Sequence, residues 1–161
     1  MNAGKSTVLL QAAHNYIERG MQTYLLTARF DNRAGDARIA SRIGIGKEAD
    51  TFDSDDDLFA KIKARLDEGP CACIFIDEAQ FLSEEQVWQL ARAVDDLKVP
   101  IMCYGLRVDF LGELFPGSAT LLALADESEG RIQVVTNPEE YRAARAAGAH
   151  AMIPAVQGGN A

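Results

Sequence analysis

Apolar positions recur along the chain in two periods, and the alternation between those periods outlines an architecture. Val8, Leu9, Ala12, Ala13, Tyr16 and Ile17 return at helical spacing, which predicts an amphipathic helix. Gly20 follows where a left-handed terminator belongs. Thr23-Tyr24-Leu25-Leu26-Thr27 is a short β-prone run. The stretch from about residue 29 to 45, rich in Asp, Arg and Gly, reads as a loop. The acidic run Asp53 to Asp57 precedes Leu58, Phe59, Ile62 and Leu66. It reads as the start of a second helix, whose dipole favours carboxylates there, rather than as a metal cluster. Gly69-Pro70 closes that helix.

The central segment is patterned more strongly. Residues 71–76, Cys-Ala-Cys-Ile-Phe-Ile, are unbroken apolar and stop abruptly at Asp77-Glu78. A run without polar alternation predicts a parallel strand covered on both faces. Ser83 and Gln86 make a capping-box pair, and Leu82 is spaced to staple onto Val87. Val87, Leu90, Ala91, Val94 and Leu97 then mark the buried side of a third helix. Residues 100–104 read as a further strand, 106–117 as a loop and 119–125 as an apolar helix. Ile132-Gln133-Val134-Val135 reads as a last strand, and Asn137-Pro138 as the cap of a short helix that contains Tyr141. Helices and strands thus alternate from end to end, which predicts an α/β fold with a parallel sheet between helices.

Composition narrows the function classes. A chain of 161 residues, 48% hydrophobic, suits one compact domain. The net charge of −8 is offset by no basic tract, which argues against nonspecific nucleic-acid binding. No apolar run is long enough to cross a bilayer, so no membrane partner is expected. Cys71, Cys73 and Cys103 all fall in apolar stretches. They read as small buried apolar residues of a cytoplasmic protein.

Two motifs carry chemistry. Gly4-Lys5-Ser6-Thr7, opening the first helix, is the second half of a phosphate-binding loop, G-x-x-x-x-G-K-[ST]. Glycine lets the backbone approach an anion, and successive N–H groups with the helix N-terminus point at it. Lys5 would reach the β- and γ-phosphates of ATP, and the Ser6 hydroxyl would help ligate Mg²⁺. The second motif is Asp77-Glu78-Ala79-Gln80 at the end of the apolar strand. Ligands of open α/β sheets sit outside the carboxyl ends of the strands. There Asp77 would join Ser6 in the Mg²⁺ shell, and Glu78 would deprotonate or orient an acceptor hydroxyl.

Five blocks then carry a resemblance: Met1-Asn2-Ala3-Gly4-Lys5-Ser6-Thr7, Ser41-Arg42-Ile43-Gly44, Asp77-Glu78-Ala79-Gln80-Phe81-Leu82, Cys103-Tyr104-Gly105-Leu106-Arg107 and Gly112-Glu113-Leu114-Phe115-Pro116-Gly117-Ser118. In order and spacing they resemble thymidine kinases of the bacterial and human cytosolic type. The resemblance implies a RecA-like P-loop core over 1–127, a homo-oligomer (a tetramer in the family), and transfer of the ATP γ-phosphate to deoxythymidine. It implies that Glu78 is the general base, that Met1 to Thr7 and Asp77 to Gln80 contact the nucleotide, and that Leu106 and Phe110 lie beside thymine. Asp31 and Arg33 match an Asp-x-Arg near the phosphates.

Two departures qualify it. The family's strand before the phosphate loop has no counterpart here, so the reading frame upstream of Met1 is expected to encode an apolar strand ending in Gly-x. Residues 128–161 diverge and stand where the family carries a four-cysteine zinc site and a lasso loop that grips thymine. No Cys follows Cys103, so no zinc site is expected, and thymidine is expected to bind less tightly than to members with the loop. Two other readings stay open: an ATP-binding relative without catalysis, and a generic RecA-like motor ATPase. The acidic charge and the Tyr104-Gly105-Leu106-Arg107 block weigh against the motor.

Overall fold

The computed structural model describes residues 5–29, 38–40, 46–127, 132–134, 139, 143, 146 and 150–152, with side chains over 7–29 and 49–127 and at 139, 143 and 146. Met1, Asn2, Ala3, Gly4, Asp31, Arg33, the block at 41–44 and Tyr141 lie outside the described residues.

Helix α1 (Lys5–Glu18) leads into strand β1 (Thr23–Ala28). Gly20 turns the chain with φ +74°, and its N–H donates to Ile17 O at 2.8 Å while Met21 N–H donates to Tyr16 O at 3.0 Å. This is the expected terminator, glycine adopting a conformation that costs other residues strain. The buried stripe of α1 is narrower than its apolar pattern. Leu9, Leu10 and Ala13 are buried, whereas Val8 and Ile17 are 49% and 42% exposed.

The expected loop at 29–45 contains a strand, and two more follow it. Strands β2 (Arg38–Ala40) and β3 (Gly46–Glu48) pair antiparallel, and β4 (Asp50–Phe52) joins the main sheet. A three-residue strand with only Phe52 buried carries no alternation to recognise. Its backbone is extended because β1 lies alongside. Helix α2 (Leu58–Asp67) begins where expected, with Asp57 as N-cap accepting from Ala60 N–H. The acidic run is also held from outside. Gln86 Nε2 donates to Asp53 O at 2.6 Å and Asp56 O at 3.1 Å, and Gln89 Oε1 accepts from Leu58 N–H at 2.8 Å.

Strand β5 (Cys73–Asp77) is buried at every position, as an unbroken apolar run between helix layers requires. It starts two residues later than its apolar run, so Cys71 is half-buried ahead of it while Cys73 and Cys103 are buried. A 3-10 turn (Ala79–Phe81) separates β5 from helix α3 (Glu84–Leu97). The Ser83–Gln86 capping box forms in full, and Leu82 and Val87 share the same core. Ala93 is fully buried on α3, whereas Ala91, Val94 and Leu97 are only partly so. Strand β6 (Ile101–Cys103) follows, then helix α4 (Pro116–Glu127). Helix α4 starts three residues before its apolar pattern because Pro116 suits a first helical position, where no N–H is needed. Strands β7 (Ile132–Val134) and β8 (His150–Met152) form a separate parallel pair. The sequence pattern predicts no strand at β8, whose three residues are too few to show a period. Glu139, Ala143 and Ala146 between them are helical.

The main sheet has the order β4-β1-β5-β6, and every pairing in it is parallel. Side chains alternate between two apolar layers. Ile74 and Ile76 join Leu26, Phe52, Leu58, Ile62, Val87 and Leu90 on one face. Cys73 and Phe75 join Leu9, Leu10, Ala13, Leu25, Met102 and Tyr104 on the other. Helix α1 therefore covers one face, and α2 and α3 the opposite one. The α/β class expected from the alternation is the class observed.

Candidate active site

Parallel strands direct all their carboxyl ends to one edge, and the chain leaves β5 there through Asp77 and Glu78. Helix α1 reaches β1 through the short connection 19–22 and packs on the sheet beside β1 and β5. It must run antiparallel to them, so its first residue, Lys5, begins at the same edge. A helix N-terminus and an acidic pair thus share one rim of the sheet, with the α1 dipole presenting positive charge there.

The acidic pair is held closely. Asp77 is 4% and Glu78 7% exposed, unusual for carboxylates unless they are bonded. Asp77 Oδ1 accepts from Glu78 N–H at 2.9 Å. Glu78 has φ 55° and ψ 38°, the left-handed region. The backbone on both sides enforces this conformation: Ala79 N–H donates to Tyr104 O at 2.8 Å, and Phe81 N–H to Glu78 O at 3.1 Å. A non-glycine residue there carries strain, which persists only where surroundings over-determine it. The Glu78 side chain accepts a hydrogen bond from Gln80 Nε2 at 2.5 Å.

Two glycines make this packing feasible. A Cβ on Gly105 would meet Gln80 Oε1 at 2.8 Å and Gln80 N at 2.9 Å. A Cβ on Gly117 would meet Ala79 O at 2.6 Å and Leu82 O at 2.7 Å. The turn after β5 is clamped between the chain leaving β6 and the first turn of α4. Ser118 Oγ adds a bond to Leu106 O at 2.5 Å.

Beyond Leu106 the chain forms a small hairpin. Val108 bridges Leu114, Gly112 turns it with φ +83°, and Asp109 Oδ1 accepts from Leu111 N–H at 2.8 Å and Glu113 N–H at 3.0 Å. Phe110 stands at its tip, 95% exposed. The structure therefore brings Asp77, Glu78, Ala79, Gln80 and Leu106 together and leaves Phe110 away from them. Thr7 lies in the first turn of α1.

Sequence reading missed one feature of this rim. Phe81, 46% exposed, meets Phe115 edge to face with ring centroids 5.9 Å apart. The pair forms an apolar wall that begins three residues after Glu78. Its one signal in the sequence was a phenylalanine on the turn after the acidic pair, where an apolar residue has no strand to cover. By contrast, Cys103 is no candidate nucleophile. Burial, with Cys73 beside it, pushes its thiol up to about 12, and an inert buried thiol is a packing residue.

A parallel α/β sandwich with a helix N-terminus and buried carboxylates at the strands' carboxyl edge defines the class of nucleotide-binding α/β proteins. The thymidine kinase family model matches residues 1–137. The chain belongs to the thymidine kinase family. It is 77% identical over 127 residues to the thymidine kinase of Jannaschia sp. (strain CCS1), covering 79% of this chain and 65% of that protein. It is 76% identical over 127 residues to that of Ruegeria pomeroyi (strain ATCC 700808 / DSM 15171 / DSS-3), covering 79% and 64%. For Agrobacterium fabrum (strain C58 / ATCC 33970) the identity is 61% over 127 residues, covering 79% and 66%. The chain thus spans about two thirds or slightly less of the length of these relatives.

Proposed function

We propose that this chain moves the γ-phosphate of ATP onto the 5′-hydroxyl of deoxythymidine. The carrying observation is Glu78, a carboxylate held in a left-handed conformation at the carboxyl edge of β5 in a chain of the thymidine kinase family. Phosphoryl transfer asks for positioning and charge neutralisation more than covalent help. Glu78 takes the proton of the 5′-hydroxyl as the oxygen bonds to the γ-phosphorus. The bond from that phosphorus to the β–γ bridging oxygen breaks, and ADP leaves.

The amino-terminal motif, Met1 to Thr7, receives the phosphates with Lys5 among them. Asp77 and Ser6 offer the hard oxygen donors that suit Mg²⁺, and Asp77 stands at the strand end where such a ligand belongs. The metal would neutralise the charge on the β- and γ-phosphates. The Phe81–Phe115 pair would support a flat base, with Leu106 and Phe110 as further residues for contact with it. Cysteines set in apolar stretches, Cys73 and Cys103 buried, suit a reducing, cytoplasmic setting.

The test is ATP-dependent phosphorylation of deoxythymidine, with Glu78→Gln beside the unaltered chain. Removing a general base lowers kcat by on the order of 10²–10⁴-fold, while ATP affinity is expected to be retained. Turnover unchanged in Glu78→Gln excludes the assigned base. An unaltered chain that binds ATP without turnover returns the reading to an ATP-binding relative.

A further inference from the structure

Gln80 falls in the segment that the family resemblance assigns to nucleotide contact, yet its geometry assigns it a different task. It is 2% exposed, and both ends of its amide are engaged inside the protein. Nε2 donates to Glu78 Oε2 at 2.5 Å. Oε1 accepts from Leu106 N–H at 3.0 Å. The two bonds orient each other. Leu106 N–H can only donate, so the amide oxygen must face it, and the NH₂ group is left pointing at the carboxylate.

We infer that Gln80 is a positioning residue that couples the proposed base, Glu78, to the segment after β6 that carries the nucleoside-side residues. This deepens the function proposed above and rests on it for its kinetic part. Three features of the surroundings support the assignment. Gly105 has no Cβ, and any Cβ there would strike Gln80 at Oε1 and N, so the segment can lie directly on the amide. Leu106 is held from its other side by the Ser118 hydroxyl, so its N–H is a fixed reference point. Glu78 sits on a backbone whose conformation is set by Tyr104 and Phe81, but a glutamate side chain keeps rotatable bonds of its own. The Gln80 donor removes that freedom. It also ties the carboxylate to the strand-end segment from which Leu106 and the Phe110 hairpin depart.

The consequence is a defined pattern in two variants. Gln80→Glu keeps an acceptor for Leu106 N–H and loses the donor toward Glu78, putting a carboxylate against a carboxylate. Gln80→Met loses both. If Gln80 merely held the loop, Gln80→Glu would work like the unaltered chain. Under the coupling both variants lose kcat, on the order of 100-fold, the scale of a misplacement of about 1 Å. The KM for ATP stays within about twofold, since no transition-state-independent binding is removed.

A second readout does not depend on turnover. In ¹⁵N spectra of the whole chain, Glu78→Gln is expected to move the Gln80 side-chain amide and the Leu106 backbone amide together. The same substitution in a Gln80→Met background is expected to leave Leu106 in place, as a double-mutant cycle reads a coupling. Leu106 unmoved by Glu78→Gln overturns the inference. So does Gln80→Glu with full kcat, or either variant raising KM for ATP while kcat stands. Coupled signals in a chain without thymidine turnover would sink the proposed reaction and leave the coupling in place.

Discussion

Two segments leave neighbouring parallel strands at the same edge of the sheet, and they are built by opposite means. The turn after β5, from Asp77 to Leu82, is buried except at Phe81 and anchored by distant residues: Tyr104 O, Leu106 N–H, and the backbones of Gly105 and Gly117. The hairpin after β6 is held at its tip by its own Asp109, bonding to Leu111 and Glu113 within four residues. It exposes Phe110 at 95% and Leu111 at 70%. Long-range anchoring with burial makes a rigid mount for a carboxylate. Local anchoring with exposure presents apolar side chains to whatever comes to the rim. The proposed phosphoryl transfer would use both: a base that does not wander, and a surface that receives a flat ring.

Substitutions can break that contrast, the largest effect being expected in the buried turn. Gly117→Ala drives a Cβ into Ala79 O, Leu82 O and Gln80 O, all backbone atoms that cannot step aside. Overpacking of this kind costs about 1–3 kcal/mol, read as a lower urea midpoint. A midpoint equal to the unaltered chain would mean that the turn is not clamped. In the hairpin, Asp109→Ala removes the acceptor of two backbone N–H groups at an exposed site. The expected loss is about 1 kcal/mol or less, with faster hydrogen exchange confined to residues 108–114. Exchange quickening at Glu78 as well would merge the two segments into one unit.

The smallest effect comes from the comparison of strained residues. Among the described residues, Glu78 and Lys98 are the non-glycine residues with positive φ, both at 55°. Lys98 ends α3 in the position where glycine commonly sits, and its side chain is exposed. Lys98→Gly is expected to raise stability by up to about 1 kcal/mol, a rise in Tm of about 2–4 °C for a chain of this size. No gain would show that the left-handed conformation costs little here, and the strain assigned to Glu78 would fall with it.

What the sequence determined by itself was local. Ser83 and Gln86 announced their capping box, the acidic run from Asp53 to Asp57 a helix start, Gly20 its turn, and the unbroken run before Asp77 a strand buried on both faces. Each of these signals is satisfied by neighbours within a few positions, or by burial alone. The acidic pair was legible for the same reason, because an apolar strand ending in two carboxylates is a pattern along one segment.

Tertiary structure decided the rest. β4 is three residues long and exists because β1 supplies its partners. Ala93 is buried and Val8 exposed because a helix rests on the sheet along one stripe, whose position depends on what it meets. The left-handed Glu78, the Gln80 amide between residues 78 and 106, and the meeting of Phe81 with Phe115 join positions far apart in the chain. A hydrogen bond across 26 residues leaves no period or spacing in a sequence, since only folding brings its donor and acceptor within reach.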